Sequence, residues 1–154
     1  ITKVFGMMNH TFDHYAPVVP GKVGGRHQGV LVSMENGKAT TYGMMGVEDR
    51  GTLFVEPGTE VYEGMIVGEN TRDNDITVNI TKQKQKTNIR SANKDQTNVI
   101  KKPRILTLEE ALEYLSDDEY LEVTPESIRL RKQILDKGER ERVAKKKKFA
   151  ELEN

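Results

Sequence analysis

Cysteine is absent from this sequence of 154 residues. Disulfide frameworks, thiolate metal sites and cysteine nucleophiles are therefore excluded together. Long hydrophobic runs are also missing, since no apolar stretch approaches the roughly twenty residues that a membrane-spanning helix needs. We therefore expect a soluble chain without a membrane partner, and the low share of hydrophobic residues, 35%, predicts a modest core. The first residue is Ile1, from which we expect a piece of a longer protein.

Net charge is lacking too, because 24 basic residues balance 24 acidic ones. The balance conceals blocks of one sign. Residues 82–104 contain 8 basic and 1 acidic residue, residues 105–127 contain 8 acidic residues and no Lys or Arg, and residues 128–150 contain 10 basic and 3 acidic residues. The neutral total argues against a uniform polycation but allows two local basic surfaces, which a polyanion senses within one Debye length.

Glycine recurs every few residues through most of the first half of the chain. This spacing leaves room for strands only, and the Asn36-Gly37 step predicts a hairpin between residues 30–33 and 39–44, because Asn-Gly supplies the positive φ angles of a tight turn. Alternating or short apolar runs predict further strands at residues 53–55, 61–62, 65–67, 76–80 and 97–101. We expect an α+β fold that is mostly β, with an antiparallel barrel or sandwich-like sheet.

One amphipathic helix is predicted over about residues 107–117. Thr107 with Glu110 three residues later is the signature of a capping box. The apolar residues that would share one helix face are Leu108, Ala111, Leu112 and Leu115.

The remaining C-terminal pattern predicts two strands and a charged end. Apolar alternation indicates strands at residues 121–123 and 128–131, the second presenting Arg129 and Arg131 on its open face. Residues 136–154 are rich in charge and poor in aliphatic side chains, which predicts a solvated helix or a frayed tail.

Motifs for catalysis are missing from the sequence. The steps Gly21-Lys22 and Gly37-Lys38 lack the earlier glycine and the following Ser or Thr of a phosphate-binding P-loop. His10 and His14 stand four residues apart, but a third metal ligand is missing and the neighbourhood resembles a strand running into a loop. The acidic residues of segment 105–127 are more typical of helix caps and a solvent-exposed helix face than of catalysis by a pair of carboxylates. We therefore predict no catalytic residue, no metal site and no cofactor in this chain.

Residues 82–96 form a basic, polar stretch with a single large aliphatic residue. Because such a stretch cannot form a hydrophobic core of its own, we expect either a disordered loop or a functional loop. Lys and Arg suit phosphate, and Thr or Asn can bond to phosphate oxygens or 2′-hydroxyls, whereas base stacking calls for aromatic rings. We therefore predict recognition of the backbone and shape of folded RNA. The alternative is a disordered loop that its lysines keep soluble.

The cations of this predicted RNA-binding surface fall into two groups. Those within the loop are Lys82, Lys84, Lys86, Arg90 and Lys94. Those expected to extend the same face are Lys101, Lys102, Arg104, Arg129, Arg131 and Lys132.

Several strings, in order along nearly the whole chain, resemble one family. They are Phe12-Asp13-His14-Tyr15, Pro20-Gly21-Lys22-Val23-Gly24, Gly29-Val30-Leu31-Val32-Ser33, Glu48-Asp49-Arg50-Gly51, residues 60–68, residues 74–79, Thr87-Asn88-Ile89-Arg90, and residues 121–125 leading into 128–132. These strings are similar to the C-terminal region of the TypA/BipA translational GTPases. Collinear strings of this number are specific, whereas one alone could arise by chance.

The resemblance implies a domain organisation. Residues 1–16 would be the end of the preceding elongation-factor-like domain, residues 17–135 the family's C-terminal domain with its basic loop 82–96, and residues 136–154 a charged tail. GTP and Mg²⁺ would bind in a part of the parent protein that this chain lacks, so the fragment itself would not be an enzyme. A cytoplasmic and monomeric fragment is expected.

The resemblance also implies partners and contact residues. Proteins of this family bind the ribosome near the A site, and a loop of their terminal domain reaches the acceptor arm of a tRNA there. Matched by position, the loop corresponds here to Lys84, Lys86, Thr87, Asn88, Arg90 and Ser91. The sequence departs from the family pattern at Gln83 and Gln85, which leaves individual lysine contacts less secure than those of Thr87, Asn88 and Arg90.

Two hypotheses of different classes follow. The first is a module that contacts ribosomal RNA and tRNA within a translational GTPase acting in ribosome assembly or stress-adapted translation. The second is a protein-interaction module, in which the acidic segment 109–122 and the basic tail recruit a partner and RNA is incidental. An enzyme of an unfamiliar type would need a converging pocket of perturbed acids or histidines.

Overall fold

The structure is a computed structural model that describes residue 9 and residues 11–17, 26–83 and 100–152. Within these residues it has eight strands, three α-helices and one 3₁₀ turn. The strands are β1 Val30–Ser33, β2 Gly37–Lys38, β3 Gly51–Leu53, β4 Glu60–Val61, β5 Met65–Asn70, β6 Ile76–Val78, β7 Glu119–Val123 and β8 Ile128–Lys132. The helices are α1 Thr41–Met45, α2 Leu108–Tyr114 and α3 Lys137–Leu152, and the 3₁₀ turn is Glu48–Arg50.

Six of the strands form one open, mixed sheet in the order β6, β1, β5, β8 and β7, with β3 also paired to β5. The β1–β6 pair is parallel and the others are antiparallel. Strand β5 pairs with β8 through Met65 and Ile66 and with β3 through Gly68–Asn70. The α+β class is confirmed, but the sheet does not close into a barrel over the part of the chain that the structure describes.

Apolar side chains pack on both faces of this sheet. All four residues of β1 are buried, because its side chains alternate between two separate cores. Leu31 joins the core that contains Met44 and Ile80, while Val30 and Val32 join the core beneath α2. Strand β1 is thus covered on both sides, which agrees with the continuous apolar run Val30-Leu31-Val32.

The hairpin predicted between residues 30–33 and 39–44 is wrong. Asn36-Gly37 does turn the chain, and Gly37 has a positive φ of 155°, but β2 pairs with β4 rather than with β1. The residues that follow form α1, because the Thr40 hydroxyl accepts the Gly43 backbone N–H at 3.0 Å and so caps the helix. The first half of the chain is therefore not made of strands alone.

Helix α2 begins as predicted and ends earlier than predicted. The Thr107 hydroxyl accepts the Glu110 N–H at 3.3 Å, and the Glu110 carboxylate accepts the Thr107 N–H at 3.1 Å, which completes the capping box. The helix stops at Tyr114 and buries Ala111 and Tyr114. Leu108 and Leu112, predicted for the buried face, remain 40% and 56% exposed.

The predicted C-terminal strands are present as β7 and β8, paired in register from Glu119↔Lys132 to Val123↔Ile128. Helix α3 follows and is charged along its length. The strand predicted at 97–101 lies mostly outside the described residues, and Ile100 and Lys101 are not in a strand.

Candidate RNA-binding surface

The loop that sequence analysis singled out lies largely outside the described residues, so its predicted contacts stay predictions. The predicted site residues that fall there are Lys84, Lys86, Thr87, Asn88, Arg90, Ser91 and Lys94. The structure does describe the two ends from which this segment departs. They show how the fold holds it.

The N-terminal end of the loop is fixed by the cap of α1. Thr40 donates its backbone N–H to the Ile80 carbonyl at 2.9 Å, and its hydroxyl donates to the carbonyl of Lys82. The same hydroxyl oxygen accepts the Gly43 N–H. Because a hydroxyl both donates and accepts, one side chain caps the helix and holds the departing chain. The side chain of Lys82 itself is exposed.

The C-terminal end of the loop is fixed at the 3₁₀ turn, which lies a few residues after Thr40 in the sequence. The Lys101 backbone N–H donates to the Glu48 carboxylate at 2.5 Å, and Ile100 packs against the core. The N–H of Arg104, the residue directly after Pro103, donates to the Leu53 carbonyl at 2.8 Å. Both ends of the segment are therefore bonded to one short stretch, residues 40–48, which comprises the α1 cap and the turn after it.

The lysines at these two ends are available to an external anion. Lys82, Lys101 and Lys102 are exposed. None of their ammonium groups pairs with a carboxylate of the described residues. They are point charges on flexible stems, which suits contact with phosphate.

Arg104 is engaged within the fold. Its Nη2 lies 3.2 Å from the Glu110 Oε1, in a pair that is about one-third exposed. Glu110 is also the acid of the α2 capping box, so the guanidinium is tied to the start of that helix. An RNA phosphate would compete with this carboxylate for Arg104.

Arg129 and Arg131 lie on one face of β8, as the alternation predicted, but Arg131 has protein partners there. Its Nε lies 2.8 Å from the Glu122 Oε1 and its guanidinium stacks 5.1 Å from the centroid of Tyr120. Tyr62 donates its hydroxyl to the same carboxylate at 2.6 Å, and burial followed by this hydrogen bond raises the pKa of Tyr62. Arg129 stands opposite Glu122 in the strand register, and its Nε is buried without a hydrogen bond among the described residues.

Lys132 corrects the prediction of a shared basic face. It points to the opposite side of β8 from Arg129 and Arg131 and is only 2% exposed. Its Nζ lies 2.6 Å from Asp75, 2.8 Å from Asp118 and 2.9 Å from Glu119. Burial alone lowers the pKa of Lys132, but these hydrogen bonds and charges outweigh it and raise the pKa. The ammonium is a neutralised part of the interior and not a docking group.

Arg26 is a charged residue that sequence reasoning missed. It donates from Nη1 and Nη2 to the two oxygens of Glu119, at 2.9 and 2.8 Å, and its guanidinium lies 4.6 Å from the centroid of Tyr114. Its partner is 93 residues away in sequence, so no local pattern could have revealed the pair. Burial lowers the pKa of Arg26, but the bond and charge of Glu119 outweigh this effect and the pKa is raised.

The described residues contain neither a metal site nor a membrane-spanning helix. No group of three His, Cys, Asp or Glu side chains in the described ranges is arranged to hold a metal ion. His14 Nδ1 lies 2.6 Å from the Asp13 carboxylate on the surface, while His10 lies outside the described residues. Among the helices described, none combines the length and apolar character needed to cross a bilayer.

Comparison with known protein families settles the resemblance. The family described as the TypA/BipA C-terminal domain matches residues 28–137 of this chain. The chain belongs to the TypA/BipA family. The match covers the eight strands, α1, α2 and the first residue of α3, and it includes Thr40 and Glu48, which hold the ends of the basic loop. The recognition made from the strings of residues is thereby confirmed.

Curated TypA/BipA relatives match over most of this chain. The "Large ribosomal subunit assembly factor BipA" of Bacillus subtilis is 71% identical over 152 residues, which is 99% of this chain and 25% of the relative. The protein of the same name from Escherichia coli K12 is 47% identical, covering 92% of this chain and 23% of the relative. That from Synechocystis is 51% identical, covering 86% and 22%. The chain thus spans about a quarter of the length of these relatives.

Proposed function

We propose that this chain is the RNA-contacting C-terminal module of a TypA/BipA translational GTPase that acts in assembly of the large ribosomal subunit. The name of these relatives, large ribosomal subunit assembly factor, supports the assembly role. GTP and Mg²⁺ would bind in parts of the parent protein beyond this chain, and the module itself would be non-catalytic and cytoplasmic. Its partners would be ribosomal RNA near the A site and the acceptor arm of a tRNA.

The observation that carries this proposal is the common anchorage of the loop. Thr40 bonds to the Lys82 end and Glu48 bonds to the Lys101 end, so a long basic segment leaves and re-enters the fold beside one short stretch. A segment tethered at both ends loses less conformational freedom when it binds than a free tail of the same composition. The anchorage of both ends therefore supports a binding role for the loop.

The exposed lysines at the base of the loop support the same function. Lys82, Lys101 and Lys102 have no carboxylate partner among the described residues, so they can neutralise phosphates next to the loop cations. Arg90 and the loop lysines would engage phosphate, while Thr87 and Asn88 would add polar contacts. The cations and polar side chains would read backbone and shape, because phosphate contacts position a protein without reading sequence.

Binding to purified large ribosomal subunits tests the proposal through its dependence on salt. If about five phosphates are neutralised, the logarithm of affinity should fall with the logarithm of salt concentration at a slope of roughly −4. A triple variant of the loop should weaken binding and leave the thermal midpoint unchanged, since these side chains are predicted to lie outside the core. The loop variant is Lys84→Ala, Lys86→Ala and Arg90→Ala.

A matched control removes three exposed cations elsewhere, namely Lys38→Ala, Arg50→Ala and Arg72→Ala. It changes the net charge equally, so it should alter binding much less if docking is local. A slope near zero for the unmodified chain, or equal losses in the two triple variants, would count against the proposal. Loss of folding in the loop variant would show that the loop residues belong to the core.

The second candidate, a protein-interaction module built on the acidic segment 109–122, has less support. Glu119 is buried against Arg26 and Lys132, and Glu122 is bonded to Tyr62 and Arg131. Ion pairs and hydrogen bonds within the domain thus engage much of the segment's negative charge. Retention of ribosomal proteins by the chain after nuclease treatment would favour this candidate instead.

A further inference from the structure

Helix α3 is fixed to the body of the domain at its first turn. The Asp136 carboxylate accepts the Glu139 N–H at 2.7 Å, which caps the helix, and the Lys137 N–H donates to the Glu63 carboxylate at 3.1 Å. The Arg140 guanidinium donates to the backbone carbonyls of Ile134, at 2.9 Å, and Leu135. These bonds set the direction in which the helix leaves the sheet and decide which of its faces is turned outward.

The two faces of α3 have different surroundings. Arg140 and Val143 are part-buried and border a groove of about 1040 Å³ between the helix and the sheet. The outward face carries side chains at the spacing i, i+3, i+4 and i+7, which share one stripe of a helix. The members of this outward stripe are Arg142, Lys145, Lys146 and Phe149.

All four side chains of the outward stripe are exposed, and Phe149 is 69% exposed. Within the described part of the chain, its three cations have no carboxylate partner. Residues 142–148 also contain no acid in the sequence. Among the described residues, the exposed Phe149 ring therefore stands beside cations that have no carboxylate partner.

We propose that the outward stripe of α3 binds an unpaired RNA strand, with Arg142, Lys145 and Lys146 holding phosphates and the Phe149 ring stacking on a base. Cations one helical turn apart are separated by about 5–6 Å and can follow successive groups along a polyanion. Exposed aromatic rings beside a basic track are the means by which proteins hold single strands without reading sequence. The predicted loop surface contains no aromatic ring, so this stripe adds a contact of a different kind.

Other polyanionic partners agree less well with the stripe. A helix that lies on a membrane needs a broad apolar face, but Phe149 is the single large apolar residue among the four members of the outward stripe. An acidic peptide would be held by the cations alone and would leave the ring unused. The combination of ring and cations therefore favours a nucleic-acid strand, and RNA follows from the proposed function, on which the inference rests for this choice of polymer.

The ring is tested with the intact 154-residue chain and a fluorescently labelled ten-nucleotide adenylate RNA. Phe149→Tyr keeps an aromatic face, whereas Phe149→Leu keeps apolar area without one. We expect Phe149→Leu and Phe149→Ala to raise Kd about tenfold and Phe149→Tyr to change it less than twofold, because stacking on a base requires a ring. Equal affinity of the Leu and Tyr variants would overturn the proposal.

The cations are tested by the salt dependence of the same binding. Arg142→Gln, Lys145→Gln and Lys146→Gln together should reduce the magnitude of the salt slope by roughly 2, since each phosphate contact on a single strand contributes about 0.7. The control triple Lys38→Gln, Arg50→Gln and Arg72→Gln should leave the slope unchanged. Equal changes in both triples would overturn the proposal, as would competition by polyglutamate or by phosphatidylserine vesicles at the same charge concentration as RNA. Circular dichroism verifies that every variant keeps its helix content.

Failure of this inference can be told apart from failure of the proposed function. The loop variant and the α3 variants are compared on large ribosomal subunits and on the adenylate strand. If only the loop variant loses binding to the subunits and every α3 variant still binds the adenylate RNA, the proposed function stands and the inference is overturned. If the α3 variants lose binding to the adenylate RNA while the loop variant binds subunits normally, the inference stands and the proposed function does not.

Discussion

Glu119 and Lys132 face each other across the β7–β8 ladder, both buried, with 2.9 Å between Lys132 Nζ and Glu119 Oε1. Arg26 donates to the same carboxylate, and Lys132 also reaches Asp75, whose carboxylate accepts the Val30 N–H of β1 at 2.8 Å. One charge cluster thus links β1, β7 and β8. It stabilises the scaffold that holds the loop and contributes nothing to the open basic surface.

Glu119→Gln should destabilise the domain by about 3 kcal/mol, because removing one partner from a buried ionic cluster leaves opposite charges without compensation. Urea unfolding followed by circular dichroism measures the loss. Asp117→Asn is the matched control, since Asp117 is exposed two residues away and its change should stay within about 0.5 kcal/mol. A loss of less than about 1 kcal/mol for Glu119→Gln would show that the cluster is held by its other members.

The same cluster predicts a loss of stability at alkaline pH. The pKa of Lys132 is raised in the folded state, because its carboxylate partners outweigh the effect of burial. Its stabilising contribution is therefore complete below the unfolded pKa, about 10.4, and is lost as pH rises through the folded pKa. The raised pKa of Tyr62 acts in the same direction.

Urea midpoints between pH 8 and pH 11.5 measure this effect. We expect a plateau at the lower end and a fall above about pH 10 to 10.5. Lys132→Met cannot titrate at this position, so its stability should be lower on the plateau and should fall less steeply. An identical alkaline slope in Lys132→Met and in the unmodified chain would contradict the assignment.

Gly43 allows α1 to lie against the segment that follows β6 and leads into the basic loop. A Cβ at this position would sit 2.4 Å from the Ile80 carbonyl oxygen, which is backbone and cannot move alone. Gly43→Ala should cost about 2 to 3 kcal/mol and displace α1. Gly46→Ala is the control, because its nearest atom would be 3.5 Å away and its φ of −67° suits any residue. Thermal unfolding should show Gly46→Ala unchanged or about 0.4–1 kcal/mol more stable.

Local patterns explain which parts of the fold could be predicted. The α2 cap depends on two residues three positions apart, and β7 with β8 depends on alternation within five residues each, so both were found. The parallel β1–β6 pair joins residues about 45 positions apart, for example Leu31 and Ile76, and its register is fixed only by the assembled core. Helix α1 is not predicted from the sequence, because the Asn36-Gly37 turn indicates a hairpin and so places Thr40 in a strand rather than at a helix cap.

The candidate site was predictable to a similar extent. Composition alone marked the basic loop, but its two anchors, Thr40 and Glu48, are far from it in sequence and only folding brings them together. The burial of Lys132 could have been inferred, because a two-residue period places it on the face of buried Leu130 and not on that of Arg131. Its three carboxylate partners could not, since they come from separate parts of the chain.

Removal of the two loop anchors should loosen the ends of the basic loop. Thr40→Val removes the hydroxyl that caps α1 and holds the Lys82 carbonyl, and Glu48→Ala removes the acceptor of the Lys101 N–H. We expect Glu48→Ala to speed hydrogen exchange at the Lys101 amide about tenfold, while Glu48→Gln, which keeps an acceptor oxygen, should speed it much less. Thr40→Val should cost about 1 kcal/mol through the lost cap.

The double variant Thr40→Val and Glu48→Ala also separates anchorage from charge, because it leaves every basic residue of the loop in place. If the proposed function is correct, releasing both ends should weaken binding to large ribosomal subunits about threefold to tenfold, since a looser segment loses more entropy when it binds. The salt slope should not change, because the number of phosphates neutralised is the same. Unaltered affinity in a double variant whose Lys101 amide exchanges freely would mean that the loop binds as an untethered chain.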